Sequence, residues 1–431
     1  MADPFRIGIA GLGTVGAGVV EVIQKNGDLL AQRAGRAIEI VCVNARDKAR
    51  DRGVDLSGYD WIDNAQDMAS RGDVDAVVEM IGGADGVAYD LTKAALAKGL
   101  HVVTANKAMV AHHGMELAEL AEGNNVGLAY EAAVAGGIPI IKAVREGLAA
   151  NRISAIYGIL NGTSNYILTQ MRESGRDFED VLADAQALGY AEADPGFDID
   201  GVDAGHKICI LASIAFGVKP RFDAVRMQGI RHITSTDIRF ASEFGYKIKL
   251  LGLARDRDGE INISVEPCLV PAKSPVGGIE DVYNAVFVQG DFVDTPLLTG
   301  RGAGAGPTAS AVVADIIDLA RGLNVPTFGI PVGALSEPKF IDPDKIAVSY
   351  YLRLNVLDQP GVIAEVSSIL RDHNISIESM AQHGRDPGQP VDVVLTTHGV
   401  AHGEITKACD LIEKLEFCVE KPCLMRVEDD L

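Results

Sequence analysis

The first sixteen residues constrain the fold of this chain most. Residues 5–10, Phe-Arg-Ile-Gly-Ile-Ala, read as a buried strand that runs into Gly11, Gly13 and Gly16 and then into an apolar-periodic helix, predicted through Ile23. In a G-x-G-x-x-G turn the first glycine permits a tight bend, the second lets the backbone approach a pyrophosphate, and the third permits close helix packing. The pattern predicts a dinucleotide-binding βα unit; a glycine-rich turn in a non-binding domain is the alternative.

The βα pattern continues along the first third of the chain. Strand candidates recur at residues 38–43, 76–80, 101–104 and 127–130, and helical stretches at 91–98 and 114–122 lie between them. Alternation of this kind produces a parallel sheet with helices on both faces. The expected fold class is therefore α/β, with a Rossmann-type, doubly wound parallel sheet at the start of the chain.

The length and net charge of the chain limit the number of domains and the classes of partner that it can have. A chain of 431 residues exceeds what one core normally supports, so further domains are expected. The formal charge of -21 argues against a nucleic-acid partner or an anionic membrane surface and favours a small molecule. No apolar run is long enough to span a bilayer, and the start of the chain lacks the features of a signal peptide, so a cytoplasmic location is expected. The six scattered cysteines are expected to be buried thiols.

From about residue 150 the pattern changes to that of an α+β domain. Strands are predicted at 153–160, 247–254 and 261–269, and helices near 166–171, 178–188 and 209–216. An apolar helix at 308–322 is expected to return to the first domain. A proline-rich stretch then predicts a linker.

The C-terminal segment has the order β-α-β-β-α-β of a ferredoxin-like module. Its predicted elements are strand 350–357, helix 362–373, strands 375–383 and 391–398, helix 404–415 and a last strand at 423–427. The turn Asp358-Gln-Pro-Gly361 separates the first strand from its helix, and that helix N-terminus offers amides to a carboxylate.

The loop after the second strand bears on the choice of dinucleotide. An NAD site usually has an acidic residue there for the ribose, but this strand ends Val43-Asn-Ala-Arg-Asp-Lys48. Arg46 and Lys48 suit a 2′-phosphate, so NADP is predicted, while Asp47 keeps NAD open as the alternative. The predicted cofactor contacts near the glycine turn are Gly11, Leu12, Gly13, Thr14, Val15, Gly16 and Arg46. A second glycine-rich stretch, 300–308, precedes a helix, and Gly304 is predicted to meet the cofactor from the other side; a flexible return loop is the alternative.

The most informative window runs from Gly189 to Lys207. It contains five carboxylates within twelve residues, and so dense a group needs solvent or cationic partners. Asp203 and Lys207 are four residues apart, so on a helix they share a face and form a charge pair. An acidic surface loop and an acidic metal loop are the alternatives, although the spacing is not that of an EF-hand.

This window, Ala185-x-x-x-Gly-Tyr-Ala-x-x-Asp-Pro-x-x-Asp-Ile-x-Gly-x-Asp-x-x-x-Lys207, resembles the homoserine dehydrogenase signature at every position. The resemblance extends over roughly residues 1–330 and includes Thr104-Ala-Asn-Lys107, residues 131–139 and residues 158–163. It implies that Lys207 is the acid–base residue, supported by Lys107. The implied substrate contacts are Gly162, Thr163, Gly189, Tyr190, Glu192, Asp198 and Asp203, and Thr104 and Lys107 would lie beside the cofactor.

The resemblance also implies a monovalent cation, expected to be sodium. Its ligands would be Glu131, Val134, Gly136 and Ile138; from the residues alone, a plain domain-crossing turn is an equal alternative. Reduction of aspartate semialdehyde to homoserine is the implied reaction. Another amino-acid dehydrogenase is the second hypothesis, and an amino-acid sensor with a vestigial cofactor domain is the third.

The C-terminal module resembles the ACT domain over about residues 347–427. Paired ACT modules bind an amino acid, which implies a homodimer or homotetramer and threonine as effector; a module that only dimerises is the alternative. The predicted domains are a nucleotide-binding domain at 1–135 completed by 306–325, a catalytic and dimerisation domain at 136–305, a linker at 326–346 and an ACT domain at 347–431.

Overall fold

A computed structural model describes residues 3–384 and 388–431. The first part of the chain forms a six-stranded sheet in the order β3-β2-β1-β4-β5-β6, in which all paired neighbours are parallel. This confirms the doubly wound sheet, since the order 3-2-1-4-5-6 is that of Rossmann folds. The strands are β1 (Phe5–Ala10), β2 (Ile38–Asn44), β3 (Asp60–Trp61), β4 (Ala76–Glu79), β5 (His101–Thr104) and β6 (Leu128–Ala129), and the helices are α1 (Thr14–Ala34), α2 (Val87–Ala97) and α3 (Lys107–Gly123).

Helix α1 is longer than the sequence predicted. Instead of ending near Ile23 it continues to Ala34, across a non-helical Asn26 at which its axis kinks. Leu30 and Ala34 are both buried, so the apolar face continues past the polar residues around the kink. The helix ends where Gly35 takes a left-handed φ of 75°.

The middle of the chain builds an antiparallel region of a second sheet, with helices packed against it. Its strands pair in the order β12-β11-β7-β9-β10. Two of them, β11 and β12, were not predicted. The elements are α4 (Ile140–Lys142), β7 (Ile153–Ile159), α5 (Gly162–Ser174), α6 (Phe178–Ala187), α7 (Gly196–Ile199), α8 (Val202–Phe216), β8 (Arg226–Met227), α9 (Ser235–Glu243), β9 (Tyr246–Arg257), β10 (Glu260–Pro271), β11 (Tyr283–Gly290), β12 (Leu297–Arg301) and α10 (Ala305–Ala320).

The C-terminal part has the predicted ferredoxin-like order, and its strands lie as β18-β14-β16-β15. Its sheet is not separate, because β18 pairs with β10 in parallel, with Cys268 opposite Arg426 and Leu269 opposite Val427. One twisted sheet therefore runs through the middle and C-terminal parts. The remaining elements are β13 (Lys339–Phe340), β14 (Ala347–Leu357), α11 (Val362–Asp372), β15 (Ile377–Gln382), β16 (Pro390–Thr397), β17 (Val400–Ala401), α12 (His402–Ile412) and β18 (Cys423–Val427).

Two segments connect these parts by packing. Helix α10 lies against α1, where a Cβ on Gly18 would come within 3.1 Å of the Ala305 carbonyl oxygen. The proline-rich segment at 326–346 lies against the body of the protein, since Phe328 and Leu335 are buried and β13 pairs with β10. The C-terminal part is thus attached by packed chain as well as by β18.

The prediction of buried thiols holds for most of the cysteines. All six cysteines are free thiols; five are buried and Cys418 is half-buried. No helix in residues 3–384 and 388–431 is long and apolar enough to cross a bilayer.

Candidate active site

The glycine turn after β1 has the geometry that its spacing predicts. Gly11 has a φ of 97°, and a Cβ there would lie 2.6 Å from the Met80 backbone. A Cβ on Gly16 would lie 1.9 Å from the carbonyl oxygen of Gly11, so only glycine fits at either position. A Cβ on Gly13 would meet nothing within 4 Å. The turn is closed on its protein side and open at Gly13, just before the amides of Thr14 and Val15 at the start of α1.

A cavity of about 630 Å³ adjoins this turn and is lined by Gly11, Leu12 and Gly13. Its rim carries four basic side chains and two acidic ones: Arg46, Lys48, Arg50 and Arg52, with Asp47 and Asp63. Arg50 and Arg52 were not predicted as cofactor residues, although they follow Arg46 and Lys48 at the same spacing in the sequence. Helix amides at one end and an excess of cations at the other fit a phosphorylated dinucleotide.

Thr104 does not present its side chain to this cavity. The buried Thr104 hydroxyl donates to Glu79 Oε2 at 2.6 Å, and its oxygen accepts from the Asn106 amide at 2.9 Å. Asn106 in turn caps α3 by accepting from the Met109 amide. These contacts fix the turn between β5 and α3 and so place Lys107, the first residue of that helix.

A buried carboxylate joins the two predicted lysines. Lys207 Nζ lies 2.7 Å from Asp203 Oδ2 and donates to the Leu160 carbonyl oxygen, also at 2.7 Å. Lys107 Nζ lies 3.1 Å from the other oxygen of Asp203. Asp203 is in the first turn of α8 and Lys207 one turn later, so the predicted i, i+4 pair is present.

Burial and charge shift the pKa values in this cluster in different directions. Burial lowers the pKa of Lys207 below its usual range, although Asp203 opposes the shift. For Asp203 burial acts to raise the pKa, but Lys207 and Lys107 outweigh it and hold the pKa well below its usual range. Burial, together with the charge of Asp203, raises the pKa of Asp198. The cluster contains a firmly ionised carboxylate and an ammonium that is easier to deprotonate than an exposed one.

Asn161 links the carboxylates and was missed by the sequence analysis. Its Nδ2 donates to Asp198 Oδ1 and to Asp203 Oδ2, both at 2.8 Å. Its Oδ1 accepts from the Ser164 amide and caps α5. An asparagine between a strand and a helix signals a cap, but only the fold brings both carboxylates to it.

Gly162 and Thr163 begin α5 beside this asparagine. The Thr163 hydroxyl donates to the Tyr190 carbonyl oxygen at 2.8 Å, which ties the start of α5 to the loop after α6. Both residues are half-buried, and the amides of a helix N-terminus are suited to an anion.

Three predicted residues lie on the exposed loop after α6. Gly189 has a φ of 75°, Tyr190 is 45% exposed, and the Glu192 side chain is on the surface. The Glu192 backbone carbonyl accepts from Gln186 Nε2 at 3.0 Å. The structure therefore brings together Lys107, Lys207, Asp198 and Asp203 and leaves these three at the outer side of the site.

A second cavity, of about 490 Å³, lies in front of Lys107 and Asn106. Its lining includes Gly82, Gly83 and Phe197, and the Lys107 ammonium lies 5.2 Å from the centre of the Phe197 ring. The cavity is bordered by loops of the first sheet and the start of α3 on one side and by Phe197 and His206 of the middle region on the other.

Two histidines, His112 and His206, also line this cavity. His206 is buried, and its Nε2 lies 3.2 Å from Nε2 of the exposed His112. Burial and His112 lower the pKa of His206 to about 4, so His206 is neutral near pH 7.

Gly304 caps α10 with a φ of 120°. Since the first turn of α10 packs on α1 near Gly18, Gly304 lies on the same side of the fold as the glycine turn.

The four predicted cation ligands lie in one tight segment. The Glu131 carboxylate accepts from the amides of Ile141 and Lys142, both at 2.8 Å, and the Ile138 carbonyl accepts from the Ile140 amide at 2.7 Å. Burial and Asp315 raise the pKa of Glu131 to about 7. Across the described part of the chain, no group of three or more His, Cys, Asp or Glu side chains is placed to hold a metal. Oxygens of Glu131 and Ile138 thus already accept hydrogen bonds from backbone amides. Val134 and Gly136 would contribute only backbone carbonyl oxygens to a cation.

Family models match three parts of the chain. Residues 139–317 match homoserine dehydrogenase, residues 11–131 match the NAD-binding domain of homoserine dehydrogenase, and residues 350–417 match the ACT domain. The three matches follow the division between the parallel sheet, the middle region and the ferredoxin-like module.

Individual homoserine dehydrogenases are similar to this chain over nearly its full length. The chain is 45% identical to homoserine dehydrogenase of Neisseria gonorrhoeae, over 98% of each chain, and 44% identical to that of Pseudomonas aeruginosa, over 99% of each. Among solved structures, a homoserine dehydrogenase from Thiobacillus denitrificans superposes with a TM-score of 0.93 at 43% identity, covering 99% of this chain and 98% of the other. A hyperthermophilic archaeal homoserine dehydrogenase in complex with NADPH has a TM-score of 0.63 at 28% identity, covering 73% of this chain and 97% of the other. The chain therefore belongs to the homoserine dehydrogenase family and carries an ACT domain at its C-terminal end.

Proposed function

We propose that this chain reduces L-aspartate 4-semialdehyde to L-homoserine with NADPH in preference to NADH, and that Lys207 supplies the proton. The observation that carries the proposal is the buried Lys207–Asp203–Lys107 cluster beside the cavity bordered by the cofactor domain. An aldehyde reduction needs a hydride at the carbonyl carbon and a proton at the carbonyl oxygen.

A bound nicotinamide cofactor supplies the hydride. The protein supplies the proton and the groups that orient the proton donor. As the carbonyl π pair moves onto oxygen, Lys207 Nζ transfers a proton to that oxygen, forming the O–H bond of homoserine and leaving a neutral amine. Asp203 and the Leu160 carbonyl orient Nζ by hydrogen bonds. Lys107 adds a second positive charge where the alkoxide develops.

The polar groups around the lysines suit an amino-acid substrate. We assign the substrate ammonium to Asp198, Asp203 and Glu192, and its α-carboxylate to the N-terminus of α5 at Gly162 and Thr163. Asn161 holds Asp198 and Asp203 in a fixed relation to that helix. Gly189 and Tyr190 would close the outer side, since the Thr163 hydroxyl already holds the loop that contains them.

The basic rim of the larger cavity supports the NADP preference. Arg46 and Lys48, with Arg50, would pair with the 2′-phosphate, while the glycine turn takes the pyrophosphate. Arg52 holds this loop instead, because its guanidinium donates to the backbone carbonyls of Leu12, Asp47 and Arg50. Thr104, Lys107 and Gly304 remain proposed contacts toward the nicotinamide, Thr104 through its backbone. Sodium at Glu131, Val134, Gly136 and Ile138 stays a prediction, and no step above depends on it.

The finer biological assignments are also proposals. The ACT domain supports threonine as an effector, paired copies of the chain as a homodimer or homotetramer, and a role in the biosynthesis of threonine, methionine and isoleucine in the cytoplasm. The domain division at 135, 305 and 346 is proposed with them. Titrating threonine into the full-length enzyme tests the first: an unchanged rate at millimolar threonine would remove threonine as its effector.

A panel of substrates and cofactors tests the proposed reaction. Aspartate semialdehyde, homoserine, aspartate and 2-hydroxy acids are each assayed with NADPH or NADH, or with the oxidised cofactors, and the product is identified by chromatography. We expect turnover only of the first two, and a higher kcat/KM with NADPH than with NADH. Turnover of another substrate alone would replace the proposed reaction with that of a different dehydrogenase, and a preference for NADH would overturn the cofactor assignment.

A further inference from the structure

The ACT domain contacts the catalytic region through a buried aspartate. Arg353 on β14 places Nε 2.7 Å from Asp237 Oδ1 and its Nη2 3.2 Å from Oδ2, and the Tyr351 hydroxyl donates to Oδ1 at 3.0 Å. Asp237 and Tyr351 are fully buried and Arg353 is 7% exposed. A bidentate pair of this kind has a defined geometry as well as a favourable charge interaction.

Asp237 also fixes the start of α9. The amide and hydroxyl of Thr234 donate to Asp237 Oδ2 at 2.9 and 2.7 Å, and the Asp237 amide donates to the Thr234 hydroxyl at 3.2 Å. This is a capping box, in which each residue satisfies the backbone amide of the other. The Asp237 carboxylate, which pairs with Arg353, therefore also fixes the point at which the preceding segment ends and α9 begins.

That segment, residues 228–234, lies directly on the acidic turn of the active site. Arg231 holds Asp200 with two contacts, Nε to Oδ1 at 2.5 Å and Nη2 to Oδ2 at 3.0 Å. The Ile230 amide donates to the Ile199 carbonyl oxygen at 2.9 Å, and a Cβ on Gly229 would come within 2.3 Å of that oxygen. Residues 199–201 separate Asp198 from α8, the helix that carries Asp203.

We propose that Arg353 is a positioning residue for substrate binding. From the ACT domain it fixes the cap of α9, the cap fixes residues 228–234, and these residues hold the turn between Asp198 and Asp203. The inference rests on the proposed function, because it takes these carboxylates as the substrate's partners. By this path the ACT domain helps to position the carboxylates assigned to the substrate, without contacting the substrate itself. An effector that moves β14 would change the affinity for substrate by the same contacts.

A second contact between the same two regions provides a matched control. Arg255 on β9 forms a bidentate pair with Glu428, just after β18, at 2.9 and 2.7 Å. Both side chains are largely buried, with 18% and 6% exposure. This pair also docks the ACT domain, but it contacts β9 rather than the α9 cap.

The experiment compares two double variants of the full-length enzyme. Asp237→Asn with Arg353→Met removes the first pair without leaving a buried charge alone. Arg255→Met with Glu428→Gln removes the second pair and leaves the buried Arg426, which also contacts Glu428, with Glu266 at 3.7 Å. We expect the first to raise the KM for aspartate semialdehyde at least fivefold and to leave the KM for NADPH within twofold. The control is expected to change neither KM by more than twofold. The single variant Arg353→Lys keeps the positive charge but cannot form the bidentate contact. Its KM for aspartate semialdehyde is expected to lie between those of the wild type and the double variant.

An unchanged KM for aspartate semialdehyde in the Asp237/Arg353 variant, or an equal rise in the control, would overturn the inference. Loss of folded protein alone lowers kcat per milligram and leaves KM unchanged, so it does not imitate the expected result. Asp198→Asn, assayed alongside, tests the proposed substrate site separately. If only Asp198→Asn raises the KM, the site assignment stands and the role of Arg353 does not.

Discussion

Lys207 Nζ lies 2.7 Å from Asp203 Oδ2, and the two side chains are only 10% and 6% exposed. The other oxygen of the same carboxylate faces Lys107. The Asp203 carboxylate therefore contacts two ammonium groups in a buried environment, where charged groups are poorly solvated. Asp203 keeps Lys207 charged, while burial lowers the free energy required to remove its proton.

The first prediction concerns pH. Reduction needs Lys207 protonated, and burial lowers the pKa of Lys207, so kcat/KM for aspartate semialdehyde should fall as pH rises through a value below the usual lysine range. Homoserine oxidation needs the neutral amine and should rise over the same interval. Initial rates in both directions across pH 6 to about 10.5 measure this. Parallel profiles in the two directions would contradict the assignment.

The second prediction is that Asp203→Asn moves the alkaline limb of the reductive profile to lower pH. The charge of Asp203 raises the pKa of Lys207, so its removal lets burial lower that pKa further. We expect the limb to move to lower pH, together with a reduced maximal rate. Asp194→Asn, which alters an exposed carboxylate in the same loop, is the control and should leave the limb in place.

The third prediction separates binding from folding at the glycine turn. Gly13→Ala adds a methyl group where the protein has nothing within 4 Å, so the melting temperature should stay within about 3 °C of wild type while the Kd for NADPH rises at least tenfold. Gly16→Ala would place Cβ 1.9 Å from the Gly11 carbonyl oxygen and should lower the yield of folded protein. Fluorescence titration with NADPH and thermal unfolding measure both. Equal NADPH affinity in Gly13→Ala would exclude this turn as the pyrophosphate site.

The fourth prediction concerns the 2′-phosphate. Replacing Arg46 and Lys48 by alanine should raise the KM for NADPH about tenfold or more, because a hydrogen bond to a charged group contributes about 1.5–3 kcal/mol. The KM for NADH should change by less than a factor of about three, since NADH lacks the phosphate. Lys25→Ala on the exposed side of α1 removes a cation of the same domain away from the cavity and serves as control. A similar loss for both cofactors would argue against a 2′-phosphate site at these residues.

Elements that depend on local sequence were predicted well. The strands β1, β4 and β5 are short apolar runs between turn residues, and β18 has the predicted bounds of Cys423 and Val427. The Asp203–Lys207 pair was accessible for the same reason, because a spacing of four residues defines neighbours on a helix.

Contacts between distant segments could not be predicted in this way. Asn161 meets Asp203 across 42 residues, and Arg353 meets Asp237 across 116, so neither pair leaves a periodic signal in the sequence. The pairing of β10 with β18, which merges two sheets, depends on register between strands that are far apart along the chain. Glu192 shows the opposite case: it lies within the family signature, yet its side chain is at the surface.

The most direct test of the account is the rate of homoserine formation by Lys207→Met, compared with wild type at saturating aspartate semialdehyde and NADPH. The unbranched methionine fills similar space but donates no proton, so we expect kcat to fall by at least about a hundredfold, the scale of acid–base catalysis. The Kd for NADPH should remain within about threefold of wild type. A kcat within about tenfold of wild type would contradict the assignment of Lys207 as the proton donor.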